Sequence, residues 1–355
     1  MSSAALAPMP TKTRDAVSAF ASDVCDNAYL NMENWKNTVA KTRSAAASIT
    51  GGGVEEIAFI KNTSDGVSIV AEGLKWREGD EVIIGDIEFP SNVYPWLNLK
   101  RKGVTVRVVK SRDGRVTPDM IAEAVTGKTR IVAISSVQYI TGYRADLAAL
   151  GQMARDKGFL LCVDAIQSLG ALPMDVKSFG IDFLACGGHK WLCAPEGIGI
   201  FYCAKERMEL LDVTRAGWHT VKDCYNFGHI DFTLQPTAER FEEGTPNMMG
   251  IHGLKESLAT VTMMGVERNE EHILALNRLL GERLTAKGFN VLSPIGRGER
   301  SNILIFTAKD PRDNGALVKK LHAAKIMVME RGAGIRVAPH FFNTAEEIEK
   351  LMEIL

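Results

Sequence analysis

The sequence lacks several features that would place it in other classes of protein. No apolar run reaches the roughly 18 residues that a membrane-spanning helix requires, and the N-terminus, MSSAALAPMP, has no basic region that would indicate a secretory signal. The net charge is only −1, from 42 basic and 43 acidic residues. A chain without an excess of basic residues is not expected to bind nucleic acid or an anionic membrane.

Cysteine is scarce. No two cysteines form a CxxC pair, none combines with histidine at a metal-ligand spacing, and none follows Cys224. Most of the six fall in apolar stretches, as reduced core cysteines do: Cys25, Cys162, Cys186, Cys193, Cys203 and Cys224. Scattered reduced cysteines are typical of the cytosol, so we expect a cytoplasmic protein without a metal site.

Nucleotide-binding motifs are also missing. The Gly-Lys-Thr at Gly127 would need, in a P-loop, a glycine five residues earlier, and Ala122 occupies that position. The glycine cluster Gly51–Gly53 lacks the GxGxxG spacing and a following acid that could bind a ribose. Neither a P-loop enzyme nor a nicotinamide enzyme is therefore expected.

The sequence does contain apolar runs that alternate with helical or turn segments. The 355 residues, 46% of them hydrophobic, suffice for two domains with full cores. Such alternation predicts an α/β fold with a mostly parallel, helix-covered sheet, whose ligand lies outside the carboxyl ends of the strands. The seven predicted strands are Ile57–Ile60, Glu81–Gly85, Thr105–Lys110, Arg130–Ser136, Phe159–Val163, Phe183–Cys186 and Gly199–Cys203.

Helical patterns flank these strands. Two helices are expected at the start, over Thr11–Thr38 and Val39–Ile49, and one long helix from about Gly250 to Lys287. Short strands and helices alternate after Lys287, which predicts a smaller α+β domain. Thr117, followed by proline, predicts a helix start, and Thr344 with Glu347 predicts a capping box.

Two of the predicted strands end in residues that suit one chemistry. Asp164 directly follows the run Phe159–Val163, and Lys190 lies in the turn after the next strand. A lysine that holds pyridoxal 5′-phosphate (PLP) as a Schiff base, with an aspartate at the pyridinium nitrogen, is the arrangement of PLP enzymes. As an anion, Asp164 would keep that nitrogen protonated and make the ring an electron sink.

The surrounding residues strengthen this interpretation. The stretch VDAIQ (163–167) is followed by GHKW (188–191) and by a P-x-G turn (195–197). This combination resembles the class V aminotransferase family of fold-type I PLP enzymes. That family includes cysteine desulfurases, kynureninases and isopenicillin N epimerase-like proteins. The resemblance implies a large PLP-binding domain over residues 11–249, a small C-terminal α+β domain over 250–355, and a pocket-lining segment over 1–10.

The resemblance also implies a role for each site residue. Lys190 and Asp164 would be catalytic, and Arg336 would grip the substrate carboxylate as a bidentate fork. Thr245 would reach the cofactor phosphate of a second subunit, which makes the protein a homodimer with shared active sites. The remaining cofactor contacts would be Thr63 and Ser64 at the phosphate, Phe89 stacked on the ring, Gln138 and Gln167 at the phenolic oxygen, and Gly187 and His189 beside the lysine.

Three departures from the desulfurase pattern bear on the reaction. Phe89 stands where desulfurases place a histidine, so proton exchange at that position is lost. Gly187 stands where they usually carry a phosphate-binding serine, which leaves only a backbone amide. No cysteine follows Cys224, whereas desulfurases carry a nucleophilic cysteine shortly before the position of Arg336. The desulfurase mechanism is therefore not expected.

Several activities remain open. We favour transamination of a small amino acid, with Lys190 as the base that moves the α-proton. The alternatives are β-elimination from cysteine or cystine without a catalytic cysteine, as in a C–S lyase, and amino-acid epimerisation. The alternative from another class is a catalytically silent dimer, against which the presence of Asp164, Lys190 and Arg336 argues.

Overall fold

The computed structural model describes all 355 residues and contains ten helices and eleven strands. The helices are α1 (Thr11–Asn27), α2 (Met32–Thr50), α3 (Thr63–Gly73), α4 (Tyr94–Leu97), α5 (Pro118–Ala124), α6 (Leu147–Lys157), α7 (Met248–Thr262), α8 (Val266–Ala286), α9 (Asn314–Ala323) and α10 (Ala345–Ile354). The strands are β1 (Ile57–Ile60), β2 (Glu81–Gly85), β3 (Thr105–Val109), β4 (Thr129–Ser135), β5 (Leu160–Asp164), β6 (Phe183–Gly187), β7 (Gly199–Cys203), β8 (Asn290–Val291), β9 (Leu304–Thr307), β10 (Met329–Arg331) and β11 (Gly334–Val337).

The first seven strands form one sheet in the order β1-β7-β6-β5-β4-β2-β3. All neighbours pair in parallel except β7, which runs antiparallel to both β1 and β6. Five of these strands are buried along their whole length (β1, β2, β5, β6 and β7), as strands covered on both faces are. This confirms the predicted α/β fold and the seven predicted strands to within one residue at each end.

Two predicted helix arrangements are wrong. The first helix ends at Asn27 and the second begins at Met32, because Asp23 closes the corner between them by accepting hydrogen bonds from Asn27, Asn31 and Trp35. The long helix predicted from Gly250 to Lys287 is two helices, α7 and α8. They are separated at Gly265, whose φ of +87° a continuous α-helix does not permit. Both predicted helix caps, at Thr117 and Thr344, are confirmed.

The last four strands form a second, antiparallel sheet in the order β10-β11-β9-β8. It docks on the first sheet through buried hydrogen bonds: Ser301 Oγ donates to the carbonyl of Gly142 at 2.6 Å, and Asn302 Nδ2 donates to that of Gln167 at 2.7 Å. Helix α7 packs on α1 and α2. The division of the chain at residue 250 stays a prediction.

The N-terminal segment passes between the two sheets. Ser3 donates its amide to the carbonyl of Ala338 beside β11, and Ala7 donates its amide to the carbonyl of His189, next to Lys190. The segment therefore reaches the end of the sheet at which the candidate site lies. None of the ten helices is long and apolar enough to cross a membrane.

Candidate active site

Asp164 lies at the carboxyl end of the central strand β5 and is 1% exposed. One oxygen, Oδ1, accepts a hydrogen bond from the amide of Ile166 at 2.9 Å, and the other accepts none within the chain. Burial raises the pKa of Asp164 to about 7, against the effect of the Ile166 hydrogen bond, and the nearby Glu88 raises it further. An aspartate kept in such a place without a cation bonded to it is costly, which indicates a functional role.

Lys190 lies in the turn after the neighbouring strand β6. The turn is held by backbone hydrogen bonds, from Gly188 to Ile198 at 2.8 Å and from Cys193 to Lys190 at 3.1 Å. The Lys190 side chain is buried, and its amine makes no hydrogen bond within the chain. Burial lowers the pKa of Lys190 to about 8, although Asp164 acts in the opposite direction. The uncharged, nucleophilic fraction of the amine near neutral pH is therefore much larger than in an ordinary lysine, whose pKa is 10.5.

Phe89 follows β2 and comes to the same place. Its ring centroid lies 5.5 Å from Nζ of Lys190, and the ring of Tyr139 meets it edge-on at 5.1 Å. Phe89 is 39% exposed, which leaves a ring face open to a planar ligand. The structure thus brings together the predicted stacking residue and the predicted lysine.

The start of α3 supplies hydroxyl groups beside the same strand ends. Thr63 Oγ1 accepts a hydrogen bond from the amide of Gly187 at 3.0 Å, and Ser64 Oγ donates to Ser91 Oγ at 2.8 Å. The Gly187 amide, expected to face a phosphate, is thus already used by Thr63. His189, half-buried, makes no side-chain hydrogen bond, and burial together with Lys190 lowers its pKa.

The two predicted glutamines are both buried but differ in their partners. Gln167 donates to the carbonyl of Ala4 at 3.0 Å and accepts from Trp191 Nε1 at 3.0 Å, so both ends of its amide contact protein groups. Gln138 donates to Glu88 at 2.5 Å, and its oxygen Oε1 is buried without a partner.

Arg336 approaches from β11 of the second sheet and is 3% exposed. Its Nη1 donates to the carbonyl of Tyr139 at 3.1 Å, whereas its Nε is buried without a partner, and it makes no ion pair. Burial lowers the pKa of Arg336 to about 10, with Arg331 acting in the same direction. An unpaired guanidinium in such a place is ready to receive an anion.

Thr245 lies apart from Lys190 within the single chain. It is exposed, on the rim of a cavity of about 410 Å³ that is also lined by Lys61 and Asn247 but not by Lys190 or Asp164. The segment before it is anchored firmly, because the buried Glu242 accepts from Arg43 at 2.6 Å and from the amide of Phe59 at 2.8 Å.

Two residues at the site were missed by the sequence reasoning. Glu88 is fully buried and accepts hydrogen bonds from Ser135, Asn92 and Gln138. Burial raises its pKa, against the effect of these hydrogen bonds. An acid after a buried strand, one residue before Phe89, was the available signal. Tyr139 lies between Phe89 and Arg336, and nothing in the sequence distinguished it from its neighbour Gln138.

Comparison with known protein families identifies the family to which this chain belongs. A family model for class-V aminotransferases matches residues 1–351. The chain belongs to the class V aminotransferase family. It is accordingly a PLP-dependent enzyme of the transferase or lyase type, and the predicted family, fold type and cofactor are confirmed.

Individual relatives extend the comparison. The chain is 34% identical over 333 residues to a probable cysteine desulfurase of Methanothermobacter thermautotrophicus, covering 89% of this chain and 82% of that protein. It is 28% identical over 342 residues to an uncharacterized aminotransferase of Bacillus subtilis, covering 96% and 90%. Both alignments span most of each protein.

Solved structures agree with these relatives. The apo structure of a cysteine desulfurase from Thermococcus onnurineus is 26% identical with a TM-score of 0.88, over 99% of this chain and 92% of that one. A cystine C–S lyase bound to its product cysteine persulfide has a TM-score of 0.92 at 24% identity, over 99% and 95%. The latter likeness concerns the fold alone.

The residues present fit PLP. The cofactor combines an aldehyde, a ring nitrogen, a planar ring and a phosphate, and the substrate adds a carboxylate. The structure offers a free amine at Lys190, a carboxylate at Asp164 with one unbonded oxygen, and an open ring face at Phe89. Buried polar atoms without partners at Gln138 and Arg336 remain for ligand groups.

Proposed function

We propose that this chain is an aminotransferase for a small amino acid, active as a homodimer and dependent on Lys190. The observation that carries the proposal is the buried pair of Asp164 and Lys190, which make no hydrogen bond to each other, accompanied by an Arg336 without an ion pair and by the buried thiols of Cys186 and Cys193 near the lysine turn. Bound PLP supplies an electron sink that makes the α-proton of an amino acid acidic.

The residues around that pair would divide the remaining tasks. Asp164, as an anion, would hold the proton on the ring nitrogen, and Phe89 would stack on the ring. The hydroxyls of Thr63 and Ser64, with the free amides at the start of α3 and with His189 nearby, would hold the phosphate, while the Gly187 amide would keep Thr63 in place. Gln138 and Gln167 would contact the phenolic oxygen.

Lys190 and Arg336 would act on the substrate itself. Arg336 would bind the α-carboxylate and thereby orient the bond to the α-proton. Lys190, whose amine has a pKa of about 8, would take that proton and return it to the cofactor carbon that would keep the transferred amino group. One base serving both positions is what transamination requires.

The state of the cysteines favours transamination over sulfur transfer to the protein. Cys186 and Cys193 are buried near the lysine turn, and burial raises the pKa of Cys193 to about 12 and raises that of Cys186 as well. Such thiols are inert as nucleophiles. The two cysteines that are not buried, Cys25 and Cys224, come earlier in the chain than the second sheet. A desulfurase would carry its nucleophilic cysteine within that part of the chain, shortly before the position of Arg336.

A second candidate function is β-elimination from a sulfur-containing amino acid. It is favoured by the 34% identity to a probable cysteine desulfurase. It would need the same removal of the α-proton by Lys190, followed by loss of the sulfur group from the β-carbon, and no thiol of the enzyme.

The shared-site dimer is supported by an exposed apolar surface in the segment before Thr245. Tyr225, Phe227, Ile230 and Phe232 are 52–98% exposed, and several exposed apolar side chains in one segment are typical of an interaction site. Trp218 lies between this segment and Gly244. A second copy covering it would bring Thr245 towards the partner's phosphate site.

The test is an absorbance titration of the PLP-loaded protein with L-amino acids, alanine and cysteine included. Transamination predicts that an amino acid bleaches the cofactor band and that a keto acid, added afterwards, restores it. The lyase predicts pyruvate from cysteine or cystine without any keto acid. The matched control is Lys190→Ala, which must show neither. A protein that takes up no PLP, or that responds to no amino acid, contradicts both functions.

A further inference from the structure

We propose that Arg331 forms a second anion-binding subsite beside Arg336, and that the substrate is an amino acid with an acidic group on its side chain. This inference rests on the proposed function and specifies its substrate class. The observation behind it is the hairpin of β10 and β11, which brings two arginines to the pocket. Binding of the α-carboxylate would use only one of them, Arg336.

The register of the hairpin puts both arginines on one face. Met329 pairs with Arg336, and Arg331 pairs with Gly334. Side chains alternate along a strand, so Arg331, two residues from Met329, lies on the same face as Arg336. The residue opposite Arg331 is a glycine, so no side chain across the pair covers the guanidinium.

This face is the one that meets the active site. Arg336 reaches the carbonyl of Tyr139, and its neighbour on β9, Ile305, packs with Ala4 and Trp191 beside the lysine turn. The turn of the hairpin rests on the residue after Tyr139, since a Cβ on Gly332 would lie 2.8 Å from Cγ1 of Ile140. Arg331, next to that turn, therefore lies at the edge of the pocket.

Nothing in the chain neutralises Arg331. Its one hydrogen bond runs from Nη1 to the neighbouring carbonyl of Glu330, at 3.1 Å, and it forms no ion pair. The Glu330 carboxylate lies on the other face of the strand, near Gly315 of α9. Arg331 also helps to lower the pKa of both Lys190 and Arg336, after the larger effect of burial, so its positive charge acts on the site.

Two unpaired guanidinium groups repel each other until anions occupy them. The α-carboxylate would neutralise Arg336, and a carboxylate or similar group on the substrate side chain would neutralise Arg331. A planar guanidinium favours an oxyanion over a neutral amide of the same shape. The subsite would therefore select acidic over isosteric neutral side chains.

The experiment compares aspartate with asparagine and glutamate with glutamine, which differ in charge but hardly in shape. Spectral titration of the PLP-loaded enzyme gives a dissociation constant for each. In the wild type, the acid of at least one pair should bind about tenfold more tightly than its amide, or better. Arg331→Gln should abolish most of that preference, leaving the amide constants within about threefold. Arg331→Lys should retain part of it.

Arg300→Gln is the matched control. Like the half-buried Arg331, the exposed Arg300 makes one hydrogen bond to a backbone carbonyl and forms no ion pair, but it lines a different cavity together with Arg278. It should leave the acid preference unchanged.

The failures are distinguishable. If no amino acid changes the spectrum, the proposed function fails. If neutral amino acids respond and acids gain no advantage, or if Arg331→Gln keeps the wild-type preference, the second subsite alone is overturned.

Discussion

In the protein without ligand, burial disfavours the charged forms of both Asp164 and Lys190. Burial raises the pKa of the aspartate to about 7 and lowers that of the lysine to about 8. Each charge is therefore maintained at a cost to folding that a bound cofactor offsets. A site that binds a charged ring is expected to lower the stability of the ligand-free protein in this way.

Replacing Asp164 by asparagine should make the cofactor-free protein more stable at alkaline pH. Since the folded pKa lies above the ordinary value of 3.8, ionisation costs stability progressively as the pH rises from about 4 to 7, up to about 4 kcal/mol. We expect Asp164→Asn to raise the melting temperature more at pH 8 than at pH 5, while PLP binding weakens. A variant that is less stable than the wild type at pH 8 would contradict this electrostatic picture.

At the scale of single residues, most of the site could be predicted from the sequence, because Asp164, Lys190 and Phe89 all follow strands that end at one edge of the sheet. The sequence did not indicate that Gln138 would donate to Glu88, or that Tyr139 would lie beside Phe89 and Arg336. Which partner a loop residue finds depends on hydrogen bonds between loops that are 50 residues apart in sequence. No local pattern encodes that choice.

At the scale of elements, the turn that carries Lys190 depends on a glycine in the turn after β5. Gly170 has a φ of +98°, and a Cβ there would lie 2.5 Å from the carbonyl oxygen of Trp191. That carbonyl is fixed from the other side by His340 Nε2 at 3.1 Å. The lysine turn therefore has little room to shift.

Gly170→Ala should destabilise the protein and reduce activity together. Gly158→Ala is the matched control, because Gly158 also has a positive φ, +77°, but no atom within 4 Å of the added Cβ. The control should lose only about 1 kcal/mol from backbone strain, whereas Gly170→Ala should lose several kcal/mol, with a lower catalytic rate in the folded fraction. Equal losses of stability, measured by denaturant unfolding, would show that the contact with Trp191 is unimportant.

Strands were easier to predict than helix ends. Each strand of the first sheet is a short apolar run that needs burial on both faces, and this requirement is visible in the sequence. The corner at Asp23 is made by side chains that fold back on it from Asn27, Asn31 and Trp35. Helical periodicity continues through such a corner, so the pattern predicted a helix where the chain turns.

At the scale of the whole molecule, the predicted architecture of a large sheet and a smaller one is present, but the route of the N-terminus was only implied by resemblance. Its contacts with Ala338 and His189 join residues more than 180 positions apart. Hydrophobic patterning carries no information about such pairings. The same holds for Thr245, whose predicted role requires a second chain.

The shared-site dimer predicts rescue between two inactive variants. Lys190→Ala lacks the amine, and Thr245→Glu should repel the phosphate of the partner's site. Mixed and allowed to exchange subunits, the two should form hybrid dimers in which one site is intact, restoring activity to at most about a quarter of the wild-type sites. Each variant alone, and the mixture before exchange, are the controls. No recovery despite proven exchange would mean that Thr245 acts within its own chain.

The most direct measurement is chemical identification of the residue that carries the cofactor. The PLP-loaded protein would be reduced with borohydride, digested and mapped by mass spectrometry, with Lys190→Ala treated in parallel. We predict that the reduced cofactor is found on the peptide containing Lys190 and is absent from the variant. A cofactor attached to another lysine, or none attached in the wild type, would contradict the assignment of this site.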